Sequence, residues 1–276
     1  MTATAAQAAS DQVAEARTQK EDLVYTDPTV PQPGKWLVGA NAEDMFVVMN
    51  YDSKSSLVTN SGITTATTTS TVIGNEVGGT FTAGYGNLWG FITYRVGEFG
   101  GTRDYSSSLG YKEDYSVQTS QIETRLRYLV PELKFWGITP FVIGGYNYTN
   151  VDSSLSIETP RISFGGKTSL LRWNDEYHSF FGGLGGIAPF TESLGLRADA
   201  SAAYVRGSGS YKAPFTTANT WSGNGYGGEG HVTLYYKISD TWTAQLGAKG
   251  EFVTGDSIDA FGAFGAYANL GYTVHF

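Results

Sequence analysis

The chain has no cysteine, which excludes a disulfide framework and a thiolate metal site. Nor does any stretch approach the ~18 consecutive apolar residues that a membrane-spanning helix needs. Leu-rich helical stretches are absent as well. Proline is scarce at 8 of 276 residues, and three of these, Pro28, Pro31 and Pro33, fall together near the start. Positive charge is also in short supply. Lys and Arg number 18 against 26 Asp and Glu, giving a net charge of −8 with His neutral. With no basic patch in view, nucleic acid is not expected as a partner. The opening MTATAAQAASDQVAEARTQ lacks the apolar region of a secretory signal.

The chain is instead rich in Gly (36), Tyr (18) and Thr, with aromatics at 14% and a mean hydropathy of −0.20. That mixture suits an all-β protein. Residues 1–24 are Ala-, Gln- and charge-rich and read as a weak helix from Ser10 or as disordered chain. The three prolines then make a stiff linker. Residues 1–34 are read as a tail and 35–276 as the β region.

Ten strands are predicted, near 36–50, 71–85, 88–99, 114–129, 138–151, 173–188, 194–206, 225–237, 242–254 and 260–276. Connections after odd strands are long and rich in Ser, Thr, Gly and Asn, except DSID at 256–259. Those after even strands are short: Gly86-Asn87, VPELKFWG, PFTES and ISDT. The strands run ~12–17 residues, against the ~5–6 usual in soluble sheets. Most alternate apolar with polar, which is the period of a strand between two different surroundings. Trp242, Ala244, Leu246, Ala248 and Phe252 share one face, opposite Thr243, Gln245, Lys249 and Glu251. Ile122, Leu126 and Tyr128 oppose Glu123, Arg125 and Arg127. Strands 36–50 and 173–188 give no clean alternation, for which bulges are the expected cause. Aromatics such as Trp36, Tyr85, Trp89, Tyr128, Trp242 and Tyr272 gather near strand ends.

The last stretch, AYANLGYTVHF, places Phe264, Ala266, Ala268, Leu270, Tyr272, Val274 and Phe276 on one face. This strand resembles the C-terminal strand of Gram-negative outer-membrane β-barrels, which ends in Phe after alternating apolar residues. The resemblance implies a single antiparallel transmembrane barrel of about ten strands in the outer membrane, with short periplasmic turns and long extracellular loops. It further implies a presequence already removed and Leu270, Tyr272, Val274 and Phe276 acting as an assembly signal. The implied partners are outer-membrane lipid, lipopolysaccharide and the barrel-assembly machinery. The tail is left with two options, entry into the lumen from below or a periplasmic partner. A soluble sandwich would share the alternation but would not account for strand length, loop alternation and terminal Phe together.

In a barrel the polar face lines the lumen. Pairing Tyr85 with Leu88 across Gly86-Asn87 sets Gly78 opposite Arg95 and Glu76 diagonal to it, so that Glu76, Arg95 and Glu123 form a row of alternating sign. A turn near residue 240 sets His231 opposite Lys249 and Glu229 opposite Glu251. The lumen-lining charges are thus Glu76, Arg95, Glu123, Arg125, Arg127, Arg197, Asp199, Glu229, His231, Lys249 and Glu251. A ten-stranded barrel has a backbone radius of roughly 10 Å, so these side chains leave a constricted lumen, similar to the charged interior of small OmpA-type barrels. The expected role is a structural or surface-contact protein, or a narrow, gated solute channel.

Chemistry is sparsely marked. Neither a Gly-x-Ser-x-Gly elbow, nor a phosphate-cradling Gly-rich loop, nor a His/carboxylate cluster with metal spacing occurs, so no cofactor or metal is implied. Glu176 and His178 in WNDEYHS share a face, and a carboxylate beside an imidazole activates water. Ten strands with such a pair resemble omptins, the outer-membrane proteases, whose Asp-x-His pair faces an Asp pair. Here Asp175 stands three before His178, on the other face, and Asp104, Glu113 and Asp114 lack the family's spacing. The chain is read as a non-enzyme, with the omptin-like site as the alternative.

Overall fold

The structure, a computed structural model, describes residues 27–59, 62–104, 112–158, 167–212, 218–255 and 261–276. In chain order the strands are β1 Trp36–Thr59, β2 Gly62–Tyr85, β3 Leu88–Asp104, β4 Lys112–Leu129, β5 Thr139–Glu158, β6 Lys167–Pro189, β7 Leu194–Lys212, β8 Asn219–Lys237, β9 Trp242–Gly255 and β10 Phe261–His275. Each pairs antiparallel with its neighbours in sequence, and β1 meets β10 to close a ten-stranded barrel. Closure leaves no edge, which is what allows a sheet to span lipid. The final residue completes the seam: Phe276 N–H donates to Trp36 O and Trp36 N–H to Phe276 O.

Register follows from the turns. Tyr85 lies opposite Leu88, Thr80 opposite Thr93 and Gly78 opposite Arg95. His231 lies opposite Lys249 and Glu229 opposite Glu251. The upper connections are shorter than the sequence reading had them. Most of SKSSLVTNSGITTATTTS is strand, since β1 and β2 pair out to Thr59 and Gly62. The β-branched Thr run continues the ladder where a Ser/Thr composition had suggested loop. Likewise β5 extends to Glu158, and β7 and β8 pair up to Tyr211 and Asn219.

The outside is apolar. Phe81, Ile92, Leu126, Leu184, Leu246 and Leu270 project from the wall and are exposed. Exposed aromatics form two rings. Trp36 and Phe46, Tyr236 and Tyr226, and Trp242 and Phe252 are pairs on single strands, each about ten residues apart and both exposed. That is the ~9–11-residue crossing of a tilted transmembrane strand, and the paired rings are interfacial girdles.

The inside is filled in three layers. At the periplasmic end Leu37, Trp89, Leu129, Phe141, Ile143, Ile187 and Tyr235 pack around Val30, which is fully buried. A charged layer follows. Above it Met45, Val47, Met49, Val72, Phe99, Val117, Val151, Tyr177 and Val205 form a second apolar cluster. This upper layer explains the broken alternation of β1. Phe46 faces out and Met45, Val47 and Met49 face in, so both faces are apolar; β1 pairs with both neighbours without a register shift. In β6 the one irregularity lies opposite Leu155 and Ser156, above residues 173–188. There, inward Tyr177 and Phe181 are interleaved with inward Ser179, the outward set turns from polar Glu176 and His178 to apolar Phe180 and Leu184, and inward position 185 is Gly because the Phe141 ring occupies the place of a β-carbon. Bulges are therefore not the cause in either strand.

Candidate functional site

The lumen's middle layer gathers most of the molecule's buried charge. Glu76, Arg95, Glu123, Arg125, Arg127, Arg197, Asp199, Glu229, His231, Lys249 and Glu251 all lie on inward register positions of β2–β4 and β7–β9. Arg125 is its centre, with its side chain 1% exposed. From β4 it reaches Glu123 at 2.7 Å, then crosses the lumen to Asp199 on β7 at 3.0 Å and to Glu229 on β8. Arg127 also crosses, 2.8 Å from Asp199. The guanidinium of Arg127 lies 4.8 Å from the Phe91 ring centre, and that of Arg125 4.8 Å from Phe181. Stacked there, both are held by cation–π attraction as well as by ion pairs. His231 Nδ1 is 2.9 Å from Asp199. Lys249 bridges Glu251 at 2.8 Å and Glu229 at 3.9 Å. That relieves the direct opposition of Glu229 and Glu251.

The expected Glu76–Arg95–Glu123 row is only half present. Arg95 donates to Glu43 through Nε at 2.7 Å and lies 3.4 Å from Glu123. Glu76 accepts instead from the Thr119 hydroxyl at 3.2 Å. Diagonal register placed Glu76 near Arg95, but Glu43, two strands from Arg95 across the curved wall, captures it. Sequence reasoning passed over Glu43 because the two-sided apolar pattern of β1 hid which face it occupies. Residues two apart share a face, so Glu43 reads as inward once Met45 and Val47 are placed inside.

The periplasmic mouth is closed by residues 27–34, ahead of β1. Asp27 and Val30 are fully buried. Arg197 Nη1 donates to Asp27 at 3.1 Å and to the Thr29 hydroxyl at 2.6 Å, and His275 Nε2 donates to the Val30 carbonyl at 3.0 Å. Pro31 presses on the wall so closely that a β-carbon at Gly84 would lie 2.7 Å from its Cγ. The lower part of the predicted tail thus enters the barrel from below; residues 1–26 lie outside the described residues.

Contacts join non-adjacent strands at every height. Trp89 of β3 meets Phe141 of β5 at 5.9 Å in the lower layer, with Tyr235 of β8 in the same cluster. Tyr177 of β6 meets Phe261 of β10 at 5.9 Å in the upper one. Between these layers the lumen retains a chamber of about 90 Å³ beside Arg95, Arg127 and Lys249, and another of about 70 Å³ near Glu76, Glu229 and Glu251. Each has room for two or three waters.

Glu176 and His178 share a face, but it is the outward one: they lie opposite Asn150 and Tyr148 on β5. His178 Nδ1 is 2.7 Å from the Tyr146 hydroxyl. Asp175 points inward, where it accepts from Trp221 Nε1 at 2.8 Å. The pair therefore stands on the outer wall beside Phe180 of the upper girdle and opens onto no interior cleft. Of the acidic residues considered as its opposite number, the side chains of Asp104 and Glu113 lie outside the described residues. Among the described residues no group of three or more His, Asp or Glu is arranged to hold a metal ion. Leu270, Tyr272, Val274 and Phe276 face outward from β10 and are exposed.

No protein-family model matches the chain, and no curated protein matches its sequence. Its architecture, in contrast, is shared widely. The outer-membrane protease OmpT from Escherichia coli superposes with a TM-score of 0.50 at 9% identity, over 89% of this chain and 98% of that one. The translocator domain of the autotransporter NalP from Neisseria meningitidis gives 0.49 at 12% identity, over 99% of both chains. The β domain of the Bordetella autotransporter BrkA gives 0.43 at 13% identity, over 85% and 98%. The protein has the fold of the bacterial outer-membrane β-barrels: a closed, porin-like transmembrane barrel of ten antiparallel strands.

Proposed function

We propose that the protein is an integral outer-membrane barrel with a sealed lumen, acting as a structural and surface-contact protein of the envelope. The observation that carries this reading is the set of contacts crossing the lumen in three successive layers: Val30 with Trp89 and Tyr235 below, Arg125 with Asp199 and Glu229 in the middle, Tyr177 with Phe261 above. A conduit for solutes keeps its axis free or hydrated; here opposite walls touch. Outer-membrane lipid, lipopolysaccharide and the barrel-assembly machinery are the partners that follow from an outer-membrane location. The narrow, gated channel is the second reading, favoured by one feature: the lowest seal is a separate segment, residues 27–34, rather than part of the wall.

The protein is proposed not to be an enzyme. OmpT is a protease, but in this chain the carboxylate–imidazole pair that invited the comparison faces outward on β6. A peptide-cleavage assay on the refolded protein and on His178→Ala tests this. Cleavage lost in the variant would restore the protease reading. The sealed-lumen reading is tested by conductance of the full chain in a planar lipid bilayer over a range of salt. Silence from correctly inserted barrels is expected, and steady ohmic steps would overturn it in favour of the channel.

A further inference from the structure

Among the described residues, the outward wall holds one charged side chain between the two girdles, Asp44 of β1. It stands eight residues above Trp36 and two below Phe46, roughly 20 Å up an apolar band ~25 Å tall. Directly across the ladder lie Ala268 of β10 and Val77 of β2. Exposed Phe46, Val77, Phe264 and Leu270 surround it above and below. Among the described residues no hydrogen bond or ion pair engages its carboxyl. The outward basic groups Arg172 and Arg206 stand on β6 and β7, on the far side of the barrel. A carboxyl facing lipid is costly, and an ionisable side chain there points to a partner.

The tilt of the strands shows what shares its vertical line. The ladder row that leaves Trp36 through Tyr85 passes once around the barrel and returns to β1 through Phe264 at Val48, twelve residues higher. Rows therefore climb from β10 to β1 to β2, and the strands tilt by ~40°. On such a wall Leu270 of β10 stands roughly 8 Å directly below Asp44, and Asn75 of β2 roughly 8 Å directly above it. All three point outward and are exposed. The Asn75 amide is also without a partner among the described residues, since Glu98 opposite it accepts from Gln118. At the height of Asp44 the flanking outward positions are small, Ala42, Ala266, Ala268 and Gly79, so another wall can come close. We propose that the protein forms a two-fold dimer through its β10–β1–β2 face, with Asp44 set against Asp44 of a second copy. A two-fold axis along the membrane normal keeps each residue at its own height and so lays this line against itself. Each group on the line is its own complement. Leucine packs on leucine, two carboxyls hold a proton between them in a short O–H···O bond, and two amides donate to each other's carbonyl oxygen. The β6–β8 face is as smooth, with Gly182, Ala200, Gly228 and Gly230 outward, but between the girdles it carries no polar side chain to select a partner.

This inference rests on the outer-membrane reading, and the test separates the two. The full chain is first inserted into vesicles of zwitterionic phospholipid; failure to insert would count against the outer-membrane reading itself. Because the chain has no native cysteine, Leu270→Cys on the proposed face and Ala200→Cys on the far wall each give a single thiol. Under a membrane-permeant oxidant at high lipid excess, Leu270→Cys should form disulfide-linked dimers and Ala200→Cys should not. Association of the cysteine-free chain is then measured by sedimentation equilibrium in zwitterionic detergent. Asp44→Leu should weaken it about tenfold, and Asp44→Asn, whose amide still pairs with its copy, should keep most of it. Heat-modifiable gel mobility confirms that each variant is folded. Equal cross-linking at the two positions would mean random collision and overturn the proposal. So would a monomeric cysteine-free chain, or association left unchanged by Asp44→Leu.

Discussion

Arg125 holds three carboxylates from two opposite walls, with its charge almost wholly removed from water. Removing one partner of a buried ion pair leaves the others uncompensated and costs ~3–5 kcal/mol. Arg125→Met should therefore lower the unfolding free energy of the detergent-folded barrel, read from a urea titration, by an amount in that range, whereas Arg172→Met, from an exposed pair, should change it by less than ~1 kcal/mol. Equal, small effects would mean that the middle layer is hydrated rather than cross-braced. Glu43 offers a second test, because the sequence concealed it. A double-mutant cycle of Arg95→Ala with Glu43→Gln is expected to give a coupling of ~0.5–3 kcal/mol, as neighbours in one network do. The cycle of Arg95→Ala with Glu76→Gln should give a smaller coupling, because Glu76 takes its hydrogen bond from Thr119. The reverse order would restore the row that register alone suggests. The lesson from these residues is physical. Strand pairing fixes which Cα atoms are adjacent, and long guanidinium side chains inside a narrow, curved wall then choose partners two strands away or across the lumen.

At the scale of elements, what was legible depended on having two unlike surroundings. β9 and β10 alternate cleanly because lipid lies on one side and polar side chains on the other, so their faces and bounds were close to those observed. β1 failed because residues 45–49 face lipid outside and an apolar layer inside, and period two vanishes when both environments are apolar; β6 failed because its outward set turns from polar Glu176 and His178 to apolar Phe180 and Leu184 while its inward set mixes Tyr177 and Phe181 with Asp175 and Ser179. The long hairpin of β1 and β2 was missed because Ser and Thr serve equally in loops and in strand ladders. The segment 27–34 could be seen to be stiff, from its prolines, but not where it lay. Its burial predicts that a cysteine at Thr29 is shielded. Since the chain has no native cysteine, Thr29→Cys gives a single thiol. It should react slowly with a water-soluble maleimide, and Asp27→Ala, which removes the Arg197 contact, should speed the reaction. Rapid labelling without that change would place the segment outside the mouth. At the other end of the wall, loss of Phe276 removes two hydrogen bonds that join it to Trp36 at the seam. The truncated protein should reach its heat-modifiable form more slowly in vesicles, and an unaltered rate would leave the terminal strand without the role its resemblance implies.

For the whole molecule the question is which of the three layers bars the lumen. The lowest is made partly by a separate segment, whereas the upper two are made by side chains of the strands themselves. If the barrel is sealed by design of its wall, removing residues 1–34 should leave it silent in a planar bilayer, because Arg125, Asp199 and Glu229 still bridge the middle and Tyr177 and Phe261 still meet above. The removal should nonetheless lower stability. It empties the socket of Val30 and deprives Arg197 of Asp27 and Thr29, and an uncovered, buried guanidinium is costly. Adding Arg197→Gln to the truncated chain should recover part of that loss. The outcomes separate cleanly. Silence with reduced stability makes 27–34 a structural cork in an already closed barrel. Steady, salt-dependent conductance appearing only after truncation would make the same segment a gate. The upper layers would then have to part when it leaves, and the narrow-channel reading would replace the sealed one.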